Sequence, residues 1–139
     1  TYLISHRDSN LGNFLISAVP EGARVFSIDH GVAFASVGSD RGELWRSMRV
    51  KRLPADTVAR LRKFTEADLN ARLSVLAEWK LENGHYVAVA PGKNLRPISG
   101  VRRKDGVVQM GLSGPEIGAV WSRAQKLLKM IDDGDIATY

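Results

Sequence analysis

The chain of 139 residues contains no cysteine. Disulfide bonds, thiolate metal sites and a cysteine nucleophile are therefore excluded. No uninterrupted apolar run is long enough for a transmembrane helix, and no secretory signal is visible, although the chain begins with Thr1 rather than Met. A chain without cysteine is stable in oxidising and reducing compartments alike, so its composition does not fix the location. We expect a cytoplasmic protein.

Several nucleic-acid signatures are also missing, although the net charge is +5. There is no zinc finger, RNP motif or basic zipper. The basic residues form two small groups, and neither is interleaved with the aromatic residues that single-strand binders use. The groups are Arg46, Arg49, Lys51 and Arg52, and then Arg102, Arg103 and Lys104. We interpret both mainly as solvated faces, so that nucleic-acid binding is a third-ranked alternative.

What is present fits one ordinary globular domain, with 44% hydrophobic and 25% charged residues. Near the start, Asn13 to Ser17 and Arg24 to Asp29 have strand composition. The segment between them contains Pro20 and Gly22, which is typical of a turn. The pattern predicts a β-hairpin.

Three polar side chains are expected to meet at one end of this hairpin. Asp8 and Asn13 precede the first strand and Asp29 ends the second, and the start of one hairpin strand lies beside the end of the other. Two carboxylates and a carboxamide suit a hard cation such as Mg²⁺, which takes few protein ligands and completes its shell with water and phosphate. The second Asp would remain free to accept a proton, as phosphoryl transfer requires.

The sequence HRDSNLGN, from His6 to Asn13, resembles the catalytic loop of protein kinases. IDHG, from Ile28 to Gly31, is similar to their metal-binding D-F-G motif. Leu11-Gly12-Asn13 followed by IDHG is similar instead to atypical members of the kinase-like superfamily. These are the phosphatidylinositol kinases, the HipA-type kinases and the aminoglycoside or choline phosphotransferases. The resemblance covers roughly residues 3–37. It departs at Asn10, where a Lys is usual, and no A-P-E follows.

The resemblance implies an ATP- and Mg²⁺-dependent phosphotransferase acting on a hydroxyl of a protein, lipid or small molecule. It implies Asp8 as catalytic base, and Asn13 and Asp29 as ligands of Mg²⁺ on ATP. Supporting roles fall to His6, Arg7, His30 and Gly31.

A nucleotide-covering lobe is not visible, because neither G-x-G-x-x-G nor a V-A-I-K-type strand occurs. Residues 1–139 are therefore expected to form a C-lobe only. Its partner would be an N-lobe that is a separate chain, a cleaved segment or a deleted part, and without it ATP should bind poorly. A catalytically weak pseudokinase-type interaction module remains the alternative. The three polar residues could also serve only as turn formers.

The rest of the chain predicts an α+β, mostly helical body with a second inserted hairpin. We expect a short helix over Ser39 to Met48, a helix from Pro54, and a helix capped by Thr65 and Asp68 that ends at Asn83-Gly84. Its apolar stripe would comprise Leu69, Leu73, Leu76 and Leu81. HYVAVA at residues 85–90 is strand-like. Asp105-Gly106 predicts a hairpin turn, and the last helix should run from Pro115 to Gly134. Trp45, Trp79 and Trp121 are expected in helices.

Overall fold

A computed structural model describes residues 2–6, 11–17, 19, 22–30, 33–34 and 50–139. The predicted helix over Ser39 to Met48, with Trp45, lies outside these residues. The described part is a mixed α and β structure with three helices and three sheets. None of its helices has the length and apolarity that crossing a membrane requires.

The N-terminal hairpin forms as the turn and strand patterns predict. Strands β1 (Phe14–Ile16) and β2 (Val25–Ser27) pair antiparallel, with Leu15 opposite Phe26. A short 3-10 turn, Leu11–Asn13, leads into β1. The pairing continues beyond both strands, because Ile28 N donates to Asn13 O at 2.9 Å and Ser17 N donates to Arg24 O at 2.9 Å.

A four-stranded antiparallel sheet occupies the middle of the described chain, in the order β5-β4-β7-β6. Its strands are β4 (Ala77–Glu82), β5 (His85–Val89), β6 (Gly100–Lys104) and β7 (Val107–Gly111). The hairpin predicted at Asp105-Gly106 joins β6 to β7. Two short strands, β3 (Arg52–Leu53) and β8 (Ala137–Thr138), pair in parallel and bring the C-terminus back beside the start of the helical part.

Two expectations are wrong here. The body is not mostly helical in the described residues, and the helix predicted to reach Asn83-Gly84 ends at Leu73. Leu76 precedes β4 and Leu81 lies within it, as does Trp79. Asn83 and Gly84 have φ values of 49° and 81°, nearly those of Asp105 and Gly106. Both pairs therefore form two-residue hairpin turns that demand a left-handed backbone.

The helices form the main apolar core. They are α1 (Ala55–Lys63), α2 (Glu66–Leu73) and α3 (Gly114–Asp132), and α3 packs against the other two. The predicted stripe of α3 buries Ile117, Val120, Ala124 and Leu128, and Val58, Val75 and Ile136 join them. Capping boxes start α2 at Thr65 and α3 at Ser113, and Gly134 follows α3 with a φ of 83°. The helix ends are thus encoded locally.

Candidate functional site

The end of the N-terminal hairpin brings Asn13 and Asp29 into neighbouring positions. Asn13 precedes β1 and is opposite Ile28, because the Ile28 amide donates to the Asn13 carbonyl. Asp29 is the next residue along and is exposed. The two residues proposed to hold a metal therefore share one end of the hairpin. Asp8, Arg7 and Gly31 lie outside the described residues.

Asp29 has a φ of 55°, a left-handed conformation that is uncommon for residues other than glycine. Asp tolerates this region better than most side chains, but the conformation still costs about 1–2 kcal/mol. The chain turns sharply here, and Ala33 N then donates to His30 O at 2.9 Å. A strained residue held by its surroundings is a feature that clusters at functional sites.

The buried His6 side chain binds the main chain of this turn at Asp29. His6 is only 4% exposed, and its Nε2 lies 2.9 Å from the main-chain oxygen of Asp29. Because a carbonyl can only accept, Nε2 carries the proton and donates it. The contact joins the first and last parts of the proposed site, which are 23 residues apart in sequence. It places His6 where a supporting residue would act, on the backbone of Asp29.

The two histidines of the site also contact each other. The rings of His6 and His30 meet edge to face, with centroids 5.0 Å apart and an interplanar angle of 74°. His30 is exposed, and its Nε2 donates to Ser27 O at 3.0 Å. Each imidazole is thus hydrogen-bonded to a main-chain carbonyl at or just after the end of β2.

The helical core anchors the segment before the predicted catalytic loop. Arg123 of α3 donates from Nε to Leu3 O at 2.6 Å, and Phe34 N donates to Ile4 O at 2.7 Å. Burial lowers the pKa of Arg123 from its ordinary value, although the nearby Tyr2 opposes that shift. No sequence pattern indicates this contact, because Arg123 lies 120 residues from its acceptor.

Asn13 and Asp29 carry oxygen donors of the kind that Mg²⁺ accepts. Within the described ranges, no group of three or more His, Cys, Asp or Glu side chains could hold a metal ion. Mg²⁺ needs only one or two protein oxygens, because it keeps water and substrate phosphates in its other positions. An amide and a carboxylate, from Asn13 and Asp29, therefore fit this ion.

The basic hairpin is less available to phosphate than its composition suggests. Arg102 is only 4% exposed; its Nη2 donates to Ser74 O at 2.8 Å and its Nη1 donates to Ile98 O. It therefore ties two loops to the sheet. Only Arg103 and Lys104 of this group remain exposed. Of the other group, Arg46 and Arg49 lie outside the part of the chain that the structure describes.

A second buried polar cluster is structural. Glu78 Oε2 accepts from Gln109 Nε2 at 2.7 Å and from Gly92 N at 2.8 Å. These bonds lower the pKa of Glu78, with that from Gln109 the larger cause. Gln109 also binds the loop through Lys93 O and Leu95 N. The hydrogen bonds of Glu78 and Gln109 therefore hold residues 92–95 against the sheet.

Comparison of this chain with protein-family models, with curated proteins and with solved structures finds no match.

Proposed function

We propose that the chain is the catalytic C-lobe of an ATP- and Mg²⁺-dependent phosphotransferase of the kinase-like superfamily. The observation that supports this most is the hairpin end, where Asn13 and Asp29 are neighbours and His6 binds the Asp29 backbone. The motif that resembles a catalytic loop and the one that resembles D-F-G thus meet in space. Turn formation alone would not require a buried histidine to join them.

In this proposal Asp8 orients or deprotonates the acceptor hydroxyl. Asn13 and Asp29 hold Mg²⁺ on the phosphates of ATP. The ion supplies charge neutralisation when bound. His6 keeps Asp29 in its left-handed conformation through the hydrogen bond to its main chain. The resemblance assigns further supporting roles to Arg7, His30 and Gly31. The acceptor is a hydroxyl of a protein, a lipid or a small molecule.

Both faces of the hairpin beside the proposed site carry exposed apolar side chains, Leu15 with Phe26 on one and Ile16 with Val25 on the other, and together they form its apolar surface. Exposed fractions are 52% for Leu15, 71% for Ile16, 65% for Val25 and 50% for Phe26. A two-stranded hairpin is marginally stable by itself, and covering these side chains would stabilise it. We propose that an N-lobe polypeptide covers this surface and completes the nucleotide cleft.

The same exposed hairpin favours a second candidate, a pseudokinase-type interaction module whose partner covers this surface without catalysis. Nucleotide binding separates the two. With the N-lobe polypeptide present, the catalytic proposal expects ATP with Mg²⁺ to raise the melting temperature, by mass action on the folded state. ATP with EDTA should raise it less. No Mg²⁺-dependent shift under these conditions favours the interaction module.

The test of the catalytic proposal is phosphoryl transfer by variants of the two aspartates. In the complete protein, with the N-lobe polypeptide present, Asp8→Ala and Asp29→Ala should each abolish transfer from labelled ATP. Asp135→Ala, which removes an exposed aspartate near the C-terminus, should retain it. Circular dichroism spectra should match the parent for all three. Full transfer by either site variant would remove that residue from the proposed mechanism.

A further inference from the structure

The segment before the predicted catalytic loop is a tight turn with a strained end. Residues 2–5 form this turn, and Ser5 N donates to Tyr2 O at 3.2 Å. Ser5 has a φ of 49°, a left-handed conformation that is uncommon for a residue other than glycine. Such a conformation persists only where the surroundings hold it. The contacts of the two central residues, Leu3 and Ile4, therefore decide where the turn lies.

Both central carbonyl groups of the turn accept a hydrogen bond from a distant part of the chain. Leu3 O accepts from Arg123 Nε of α3 at 2.6 Å, and Ile4 O accepts from Phe34 N at 2.7 Å. The turn is thus fixed on one side to α3 and on the other to the segment that follows β2. The α3 side is the rigid one, because the apolar stripe of this helix lies in the core.

Arg123 makes its contact with Leu3 at a cost to the stability of the fold. Burial lowers the pKa of Arg123, and its buried Nη2 has no hydrogen-bond partner in the part of the chain that the structure describes. The group that opposes this shift of the pKa is Tyr2, and no described carboxylate contributes. A partly buried cation without an ion-pair partner costs free energy, and so does a buried donor that is left unpaired. Arg123 therefore contributes the position of the turn rather than the stability of α3.

We propose that Arg123 is a positioning residue of the site at the hairpin end: by holding Leu3 O, it sets the contact between His6 and the main chain of Asp29. His6 follows the turn directly and donates from Nε2 to Asp29 O at 2.9 Å. Leu3 and His6 are at most about 11 Å apart along the chain, so a displacement of one moves the other. Asp8 comes shortly after His6 in the sequence. The consequence for phosphoryl transfer rests on the proposed function, whereas the contact itself does not.

Three variants of α3 separate the donor of Arg123 from its charge. Arg123→Met keeps a long side chain and lacks a donor. Arg123→Gln also lacks the charge, but its amide nitrogen stands as many bonds from Cα as Nε does and can donate to Leu3 O. Lys126→Met is the matched control, because it removes an exposed charge from the same helix. Circular dichroism checks that all three fold, and the melting temperature of Arg123→Met should stay within about 3 °C of the parent.

The nitrogen NMR signals of the His6 ring report the contact in the full chain, with or without an N-lobe polypeptide. In alkaline buffer, where imidazoles are neutral, the bond to Asp29 O keeps the ring proton on Nε2, whereas a released ring exchanges between both tautomers. We expect Arg123→Met to shift the two His6 nitrogen signals toward each other, and Arg123→Gln and Lys126→Met to keep the parent's signals. His85 of β5 is the internal reference and should not change.

Phosphoryl transfer measures the consequence of the contact, with the N-lobe polypeptide present. Arg123→Met should lower kcat at saturating ATP at least about tenfold, since small displacements of catalytic groups slow a reaction strongly. Arg123→Gln should stay within about threefold of the parent. A parent chain that transfers no phosphate refutes the proposed function alone, because the His6 signals still decide the role of Arg123.

Unchanged His6 signals in Arg123→Met overturn the proposal, and so does an Arg123→Gln protein whose signals shift as much as those of Arg123→Met. Shifted His6 signals together with a kcat equal to that of the parent overturn the role of Arg123 in transfer. If Arg123→Met does not fold, Arg123→Leu, which also lacks a donor, takes its place with the same expectations.

Discussion

Gly111, at the end of β7, touches the chain just before β4 so closely that no side chain fits. A Cβ atom at this position would lie 2.0 Å from Ser74 O, 2.6 Å from Ser74 C and 2.9 Å from Arg102 Nη2. The first distance is 1.4 Å short of the 3.4 Å at which ordinary contact begins. Ser74 O cannot move freely, because it accepts a hydrogen bond from the buried Arg102. Gly111→Ala must therefore push β7 away from residue 74.

That movement weakens two main-chain hydrogen bonds on either side of the contact between Gly111 and Ser74. Leu76 N donates to Met110 O at 2.6 Å, and Leu112 N donates to Leu73 O at 2.9 Å. Overpacking costs about 1–3 kcal/mol, and each weakened hydrogen bond adds up to about 1 kcal/mol. We expect Gly111→Ala to lower the free energy of unfolding by about 3 kcal/mol.

Urea denaturation followed by circular dichroism measures this loss. The midpoint should fall by about 1–2 M. Gly114→Ala is the control, because Gly114 begins α3 and a Cβ atom added there would meet nothing within 4 Å. It should leave stability unchanged or raise it by up to about 1 kcal/mol. A Gly111→Ala protein within about 0.5 kcal/mol of the parent would refute the close approach of β7 to Ser74.

Two further predictions concern the α3 cap and the Glu78 cluster. Ser113→Ala removes the hydroxyl that accepts from Glu116 N, and should lower the free energy of unfolding in urea by about 1 kcal/mol. Ser122→Ala, on the exposed side of α3, is the control and should lower it by less than half of that. Equal losses for the two variants would contradict the role of Ser113 as a cap. The hydrogen bonds of Glu78 lower its folded pKa, so their stabilisation is fully present above the unfolded pKa of about 4.3 and is lost as pH falls through the folded pKa. Glu78→Gln should therefore flatten the acid limb of the stability curve measured below about pH 5; an unchanged slope would contradict this assignment.

Local signals predicted much of the fold. Thr65 with Asp68, Pro115 at the start of the last helix, and Asp105-Gly106 are local signals of their elements, and the structure has all three elements. The leucine stripe beyond Leu73 was misleading, because four leucines at near-helical spacing also fit a short helix followed by a strand. Asn83-Gly84 carried the better signal, since this dipeptide favours a hairpin turn.

The candidate site was predictable only where it is local. The hairpin that makes Asn13 and Asp29 neighbours follows from strand composition and a short turn. The bond from Arg123 to Leu3, and the contact of His6 with the Asp29 backbone, depend on tertiary packing that no spacing reveals.

Paramagnetic broadening of the histidine signals tests most directly whether a divalent cation binds at the hairpin end. The chain has three histidines: His6 and His30 contact each other beside Asp29, whereas His85 lies in β5. With the N-lobe polypeptide present, Mn²⁺ with ATP, replacing Mg²⁺, broadens nearby imidazole resonances even at partial occupancy. We predict broadening of His6 and His30 but not of His85, and its loss in Asp29→Asn. Equal broadening of all three histidines, or none, would contradict a metal-nucleotide site at Asn13 and Asp29.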